Sequence, residues 1–515
     1  MTEFFQKLLS KNLYVYVFFF CVTIIVYAGV LNGPFFFDDN IFIEHNVSVR
    51  SFDIAKIYSS STTAGSGLSG DNFYRPNAQI LYALLFFLFG LWPFIFHLVL
   101  IILHVSVGFL IFLLFCDLGI RREYSFIGCL LFLLNPIQTE AVSYISGFSE
   151  PLMLISMIGI LILFARGLSE KDGFNWKKIL AIILLTVIGF FSKENAIILS
   201  GLILIVWLYL YKRGQILNQR KALWIWTVVA ALSLIYLSLR FTVFNFTSGM
   251  TGGFGISTFS NSYTESILIR LITFVSILYQ YVSLILFPVG LHYEKPYLAY
   301  DTLLSLSGIF GLIIILGGVY LSYRSIKYGK GVFFLAYSWF FVSILPVSGI
   351  IPTNAMYLEH WLYIPIIGII FAVTYLLSLY ERSHEGRQEN NLFIFVTIII
   401  LFIYGIMTFV RSQDWADPIR FYKNELRYTT NSARIYNNLA MEMANRGKCG
   451  VAMPYYYEAI SINDSYPQTH HNLGRCLEDM GKTKEAILEY QKALIIDPAF
   501  YYSSDRLKIL LNKHD

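Results

Sequence analysis

A chain in which one long apolar run follows another can pair its backbone only as helices in lipid. Hydrocarbon offers no hydrogen-bond partners, and a run of about 18 or more apolar residues meets its own needs as a spanning helix. Such runs fall at roughly 13–31, 93–116, 123–136, 149–165, 178–191, 195–211, 222–240, 265–287, 303–323, 332–350, 358–379 and 391–410. A shorter run, 78–92, reads as a re-entrant or interfacial helix leading into the next span. About eleven to thirteen crossings are expected. Composition agrees: of 515 residues, 56% are hydrophobic and 14% charged. A soluble domain carries about a quarter charged residues, so a cytosolic enzyme and a disordered chain are both excluded.

The net charge of +5 is small. The basic residues sit in short loops between apolar runs, a membrane-topology pattern rather than a nucleic-acid one. Lys7, Lys11, Arg121, Arg122, Arg166, Lys171, Lys177, Lys178, Lys212, Arg213, Arg220, Lys221, Arg324, Lys327 and Lys330 mark the cytoplasmic loops. Segments 32–77, 136–148 and 351–357, and everything after 410, then lie outside. The first helix reads as a retained anchor, since no small-residue cleavage site follows it. One segment resists this count: with both 241–264 and 288–302 outside, 265–287 cannot be a simple single crossing, and Arg270 lies within it.

From about 411 the chain turns polar. Tyr436, Leu439, Ala440, Gly447, Ala452, Tyr456 and Ala459 recur at a period of 34 as His470, Leu473, Gly474, Gly481, Ala486, Tyr490 and Ala493. This spacing resembles the tetratricopeptide repeat, in which small residues let paired helices pack closely. Two units, 433–466 and 467–500, are expected, with 414–430 supplying a leading helix and 501–513 a capping one. The five cysteines, Cys21, Cys116, Cys129, Cys449 and Cys476, form no CxxC pair and read as inert buried thiols. Residues 59–70 (SSSTTAGSGLSG) read as a flexible stretch of the first outer loop.

Ionisable groups at membrane depth are costly and therefore point to function. Asp38 and Asp39 follow three phenylalanines at the end of the first span. Apolar surroundings and the adjacent charge would raise the affinity of one for a proton, making it a general base. The pair could instead hold a divalent cation. Glu140 opens a short helix after Asn135-Pro136, where it could also serve as first-turn charge. Lys193 and Glu194 interrupt an apolar stretch of outer-side sequence, and Lys193 could pair with a phosphate. Glu359 and His360 precede another span, and a protonated histidine can donate to a phosphate. Arg75, before Pro76, is a further phosphate partner or an interface anchor. His97 and His104 share a helix face but read as packing residues.

The order of these features resembles one family. Asp-Asp in a long first outer loop, Tyr74-Arg75-Pro76, Asn135-Pro136-x-x-Thr139-Glu140-Ala141-Val142, Lys193-Glu194, Glu359-x-x-Leu362-Tyr363-x-Pro365 and the repeat tail look like the transmembrane-and-tetratricopeptide-repeat O-mannosyltransferases and their bacterial relatives. The resemblance implies an all-α fold: a polytopic transmembrane bundle of the GT-C glycosyltransferase type over 1–410, then a small tetratricopeptide-repeat domain over 411–515. It implies a sugar moved from a polyprenyl-phosphate donor in membrane lipid to a protein or glycan acceptor outside the cytoplasm, in a bacterial inner membrane. Asp38 or Asp39 would be the catalytic carboxylate, and Arg75, Glu140, Lys193, Glu194, Glu359 and His360 would bind substrate. Asn135 and Gln138 stand where the family has histidines, and His360 where it tends to have arginine. A divalent metal is optional, because prenyl phosphate already leaves well. An O-antigen-ligase-type enzyme, or a non-enzymatic scaffold or transporter, is the competing expectation; a transporter should show repeated halves and mid-membrane polar groups, whereas here the polar groups cluster at helix ends.

Overall fold

The computed structural model describes residues 3–61, 73–170, 173–215, 217–242, 263, 265–295, 299–350, 355–383 and 389–512. All regular structure among them is helical. The chain separates into two compact units, one of residues 1–291 and 297–413, the other of 292–296 and 414–515.

The first unit is a multi-pass membrane bundle. Seven helices are long and apolar enough to cross a bilayer, and the bent pair Arg122–Leu133 and Pro136–Ser143, broken by 48°, counts as an eighth if it is one span. Shorter apolar helices, Asn12–Val26, Pro76–Phe89, Val332–Val347 and Pro365–Tyr380, occupy further places where the sequence expects spans or an interfacial segment. Residues 267–286 form one continuous helix rather than a re-entrant one, with Arg270 buried and donating to the carbonyls of Gly349 (2.6 Å) and Tyr263 (3.2 Å). Backbone acceptors thus absorb the charge that the sequence flagged.

Charges sort to the two ends of this bundle. At one end Arg122 donates to the Leu9 carbonyl (2.7 Å), Arg166 pairs with Asp117 (2.8 Å) and Arg213 reaches the Leu118 carbonyl (2.8 Å). These are the basic loops assigned by sequence to a single side. In lipid, helices associate through close packing and hydrogen bonds rather than through hydrophobic burial. The last helix, Glu389–Trp415, follows that rule: Thr408 donates to the Leu134 carbonyl (2.8 Å) and Ser412 to the Val26 carbonyl (3.2 Å). His104 is a packing residue as expected, bound to the Tyr363 hydroxyl (2.8 Å).

The second unit carries the helices Pro418–Glu425, Ala433–Asn445, Cys449–Ile462, Pro467–Asp479, Thr483–Ile496 and Tyr501–Leu511. Leu439, Ala440, Ala452, Tyr456 and Ala459 are buried, as are their counterparts Leu473, Gly474, Ala486, Tyr490 and Ala493. A Cβ on Gly474 would stand 2.8 Å from the Tyr490 ring, so only glycine admits that helix contact. The cysteine expectation needs correction. Cys449 and Cys476 form a disulfide with Cα atoms 5.3 Å apart, because stacking of the two repeats brings helices 27 residues apart in sequence face to face. Of the other three, Cys129 is a buried thiol as expected, whereas Cys116 is half-buried and Cys21 is exposed. Most of the segment 59–70, from residue 62 on, lies outside the described residues.

Candidate active site

The opposite end of the bundle gathers Asp38, Asp39, Arg75, Glu140, Lys193, Glu194, Glu359 and His360. The loop that follows the Asn12–Val26 helix leaves it through a 3-10 turn, Ala28–Asn32, and continues through short helices at Asn40–Glu44, Val47–Arg50 and Ile54–Ser59. Phe37 takes φ 59°, a left-handed conformation that costs a non-glycine residue about 1–2 kcal/mol. It is held there by an edge contact with Tyr144, whose hydroxyl accepts the Asp38 N–H at 3.1 Å.

That inversion sends the two aspartates to different fates. Asp39 is buried, and its Oδ1 accepts from the Ser146 N–H (2.8 Å) and hydroxyl (2.5 Å), while Oδ2 accepts from the Phe36 N–H (3.3 Å). Burial pushes its carboxyl up to about 7, against the pull of the Ser146 and Phe36 hydrogen bonds, with the neighbouring Asp38 charge adding to the rise. Asp38 is half-buried.

Ser146 and Tyr144 belong to a ledge made of the short helix Thr139–Ser143 and the 3-10 turn Ile145–Phe148. The turn is tight: a Cβ on Gly147 would meet the Ala141 carbonyl at 2.9 Å. The same ledge carries Glu140. Its Oε1 lies 2.6 Å from His360 Nδ1, and its Oε2 accepts the His360 backbone N–H at 3.0 Å. Glu140 and Ser146 lie six residues apart on this ledge, on either side of the extended Tyr144. One ledge therefore grips the loop after the first apolar helix at one end and the Glu359–Leu362 turn at the other.

The remaining predicted residues are paired. Arg75 makes a two-pronged bond to Glu194, Nε to Oε2 at 3.1 Å and Nη2 to Oε1 at 2.6 Å. Lys193 pairs with Glu150, both buried. Lys193 and Glu194, adjacent in sequence, thus serve different partners. Glu359 is fully buried and accepts from Arg411 Nη2 at 2.8 Å. Sequence reasoning missed Glu150, Arg411, Tyr144 and Ser146. Glu150 sits in the first turn of an apolar helix and Arg411 at the end of another, and a charge in such a place was the available signal. Among the described residues no group of three or more His, Cys, Asp or Glu side chains is placed to hold a metal ion. The arrangement sets Arg75, Lys193, Arg411 and the His360 ring each against a carboxylate.

Comparison with known proteins finds relatives along most of the chain. A family model described as the tetratricopeptide repeat matches residues 467–500. Human Protein O-mannosyl-transferase TMTC3 is 24% identical over 82% of this chain and 48% of its own length. A Protein O-mannosyl-transferase of Caenorhabditis elegans is 25% identical over 87% of this chain and 62% of its own. Mouse Protein O-mannosyl-transferase TMTC1 is 31% identical over 28% of this chain and 16% of its own. The chain thus spans about half the length of the curated relatives it matches first. Among solved structures, the archaeal oligosaccharyltransferase AglB from Archaeoglobus fulgidus aligns over 78% of this chain and 56% of that one, with a TM-score of 0.42 and 12% identity.

Proposed function

We propose, from its relationship to the protein O-mannosyl-transferases, that this chain is a membrane glycosyltransferase. It moves a hexose, mannose on the strength of the relatives' names, from a polyprenyl-phosphate donor to a hydroxyl of a protein or glycan acceptor. A donor with a prenyl tail stays in the bilayer, so the reacting carbon has to be met at helix ends, where Asp38, Arg75, Lys193 and His360 lie.

The observation that carries this reading is the division of labour in the aspartate pair. A general base must touch the hydroxyl it deprotonates. Asp39 is 1% exposed and spends its oxygens on Ser146 and Phe36. It is therefore the anchor, and the half-buried Asp38 is the base. Arg75 and Lys193 bind the donor phosphate, easing charge on the departing oxygen. Glu194, Glu150, Glu140 and Glu359 set the cations in place.

The tetratricopeptide unit binds or orients the acceptor on the non-cytoplasmic side. The Cys449–Cys476 disulfide supports that side, since such bonds persist in oxidising compartments. We place the chain in a bacterial inner membrane, with this unit in the periplasm. The test is transfer by the reconstituted protein from a panel of labelled polyprenyl-phosphate hexoses to hydroxylated peptides and glycans. Consumption of one donor is expected; a panel left untouched would return the scaffold reading.

A further inference from the structure

We propose that His360 is the proton donor to the departing polyprenyl phosphate, held in place by Glu140 and by the Glu359–Arg411 pair. This rests on the glycosyl-transfer reading above and assigns a step which that reading leaves open.

The cations at this end of the bundle are each set by a different carboxylate. Arg75 is forked onto Glu194, Lys193 is closed on Glu150, and Arg411 is buried on Glu359. His360 has one ring nitrogen engaged, Nδ1 on Glu140 at 2.6 Å. Its Nε2 bonds no group among the described residues, and its side chain is 22% exposed while Glu140 is 2% exposed. Glu140 also holds the His360 backbone N–H, so both the ring and its Cα are fixed by one carboxylate. The turn that bears His360 is pinned from behind by Glu359 and Arg411 at 2.8 Å. A carboxylate on one nitrogen and an open second nitrogen is the arrangement by which imidazole delivers or accepts a proton directionally.

The charged groups facing His360 are Glu140 from the ledge, Glu359 on its own turn and Arg411 from the last helix. Glu359 and Arg411 offset each other, leaving Glu140 as the counter-charge to a protonated ring. In the reaction the acceptor O–H proton passes to Asp38 as its oxygen bonds the sugar C1. The bond from C1 to the phosphate oxygen breaks with its electron pair on that oxygen, which takes the Nε2 proton of His360. Water then returns a proton to His360 and removes one from Asp38.

The test measures single-turnover transfer by the full-length protein in nanodiscs, wild type beside His360→Gln, from a polyprenyl-phosphate hexose and from a polyprenyl-diphosphate hexose, whose departing oxygen needs no proton. Loss of a proton donor should slow transfer from the monophosphate by about 10²-fold or more and transfer from the diphosphate far less. Equal slowing with both donors, or full transfer by His360→Gln from the monophosphate, would overturn the assignment. Absence of transfer by wild type from either donor would strike the glycosyl-transfer reading instead.

Discussion

Arg411, near the end of the last apolar helix of the bundle, donates to Glu359 at 2.8 Å across 52 residues of sequence, and both side chains are buried. Removing one partner of such a pair leaves an uncompensated charge and costs about 3–5 kcal/mol. Arg411→Ala should therefore lower the thermal midpoint of the detergent-solubilised protein sharply. Replacing both residues together by apolar ones of similar volume should recover much of the loss. An unchanged midpoint for Arg411→Ala would mean that the pair does not hold the turn.

Asp39 gives a pH dependence with a definite sign. Its folded carboxyl is raised to about 7 from an ordinary value of 3.8. Between these values the folded state binds the extra proton, so stability falls as pH rises from about 4 to about 7 and is level above. The span corresponds to on the order of 4 kcal/mol. Asp39→Asn keeps an acceptor for Ser146 and cannot ionise, so it should lose this component and melt higher than wild type at about pH 8. Melting curves of the two proteins that run parallel from about pH 5 to about pH 8 would contradict the burial of Asp39.

The Cys449–Cys476 bond closes a loop with a sequence separation of 27 residues. Chain entropy assigns such a crosslink about 3.5 kcal/mol. Reductant, or Cys449→Ser, should destabilise the repeat unit by that order. Maleimide labelling of the unreduced, denatured protein should modify three cysteines, Cys21, Cys116 and Cys129, and no more. Labelling at Cys449 or Cys476 without reductant would show the bond to be absent.

Two adjacent histidines in the repeats should titrate in opposite directions. Burial opposes the charge on His470, but Glu489 at 2.6 Å and Asp464 at 2.8 Å outweigh it and raise its proton affinity. Its contribution to stability is present below the unfolded value near 6.5 and lost as pH rises through the folded one. His471 is lowered to about 4, first by burial and then by Arg475 and Arg506. Its contribution is lost as pH falls from about 6.5 to about 4. Ring-nitrogen NMR at about pH 6 should find His470 protonated and His471 neutral; the reverse order would contradict the packing of this repeat.

What the sequence disclosed follows from the range of the forces involved. Helical spans and the 34-residue period are local patterns, written in runs of apolar residues and in small residues such as Ala440 and Gly474. The identities of the ionisable residues at helix ends were legible for the same reason. Their partners were not. Lys193 with Glu150, Glu359 with Arg411 and Asp39 with Ser146 are joined across 43, 52 and 107 residues. Nothing local separates Asp38 from Asp39, since the left-handed turn at Phe37 and the docking on Ser146 decide which carboxylate is buried. The disulfide was hidden likewise, because only the stacking of the two repeats brings its cysteines together.

The most direct test of the account is single-turnover sugar transfer by Asp38→Asn beside Asp39→Asn, with the consumed donor at saturation. Loss of the base should cut the Asp38→Asn rate by about 10²–10⁴-fold with donor binding retained. Asp39→Asn should keep a substantial part of the wild-type rate. Full transfer by Asp38→Asn would contradict the assignment of the base, and with it the chemistry proposed for this end of the bundle.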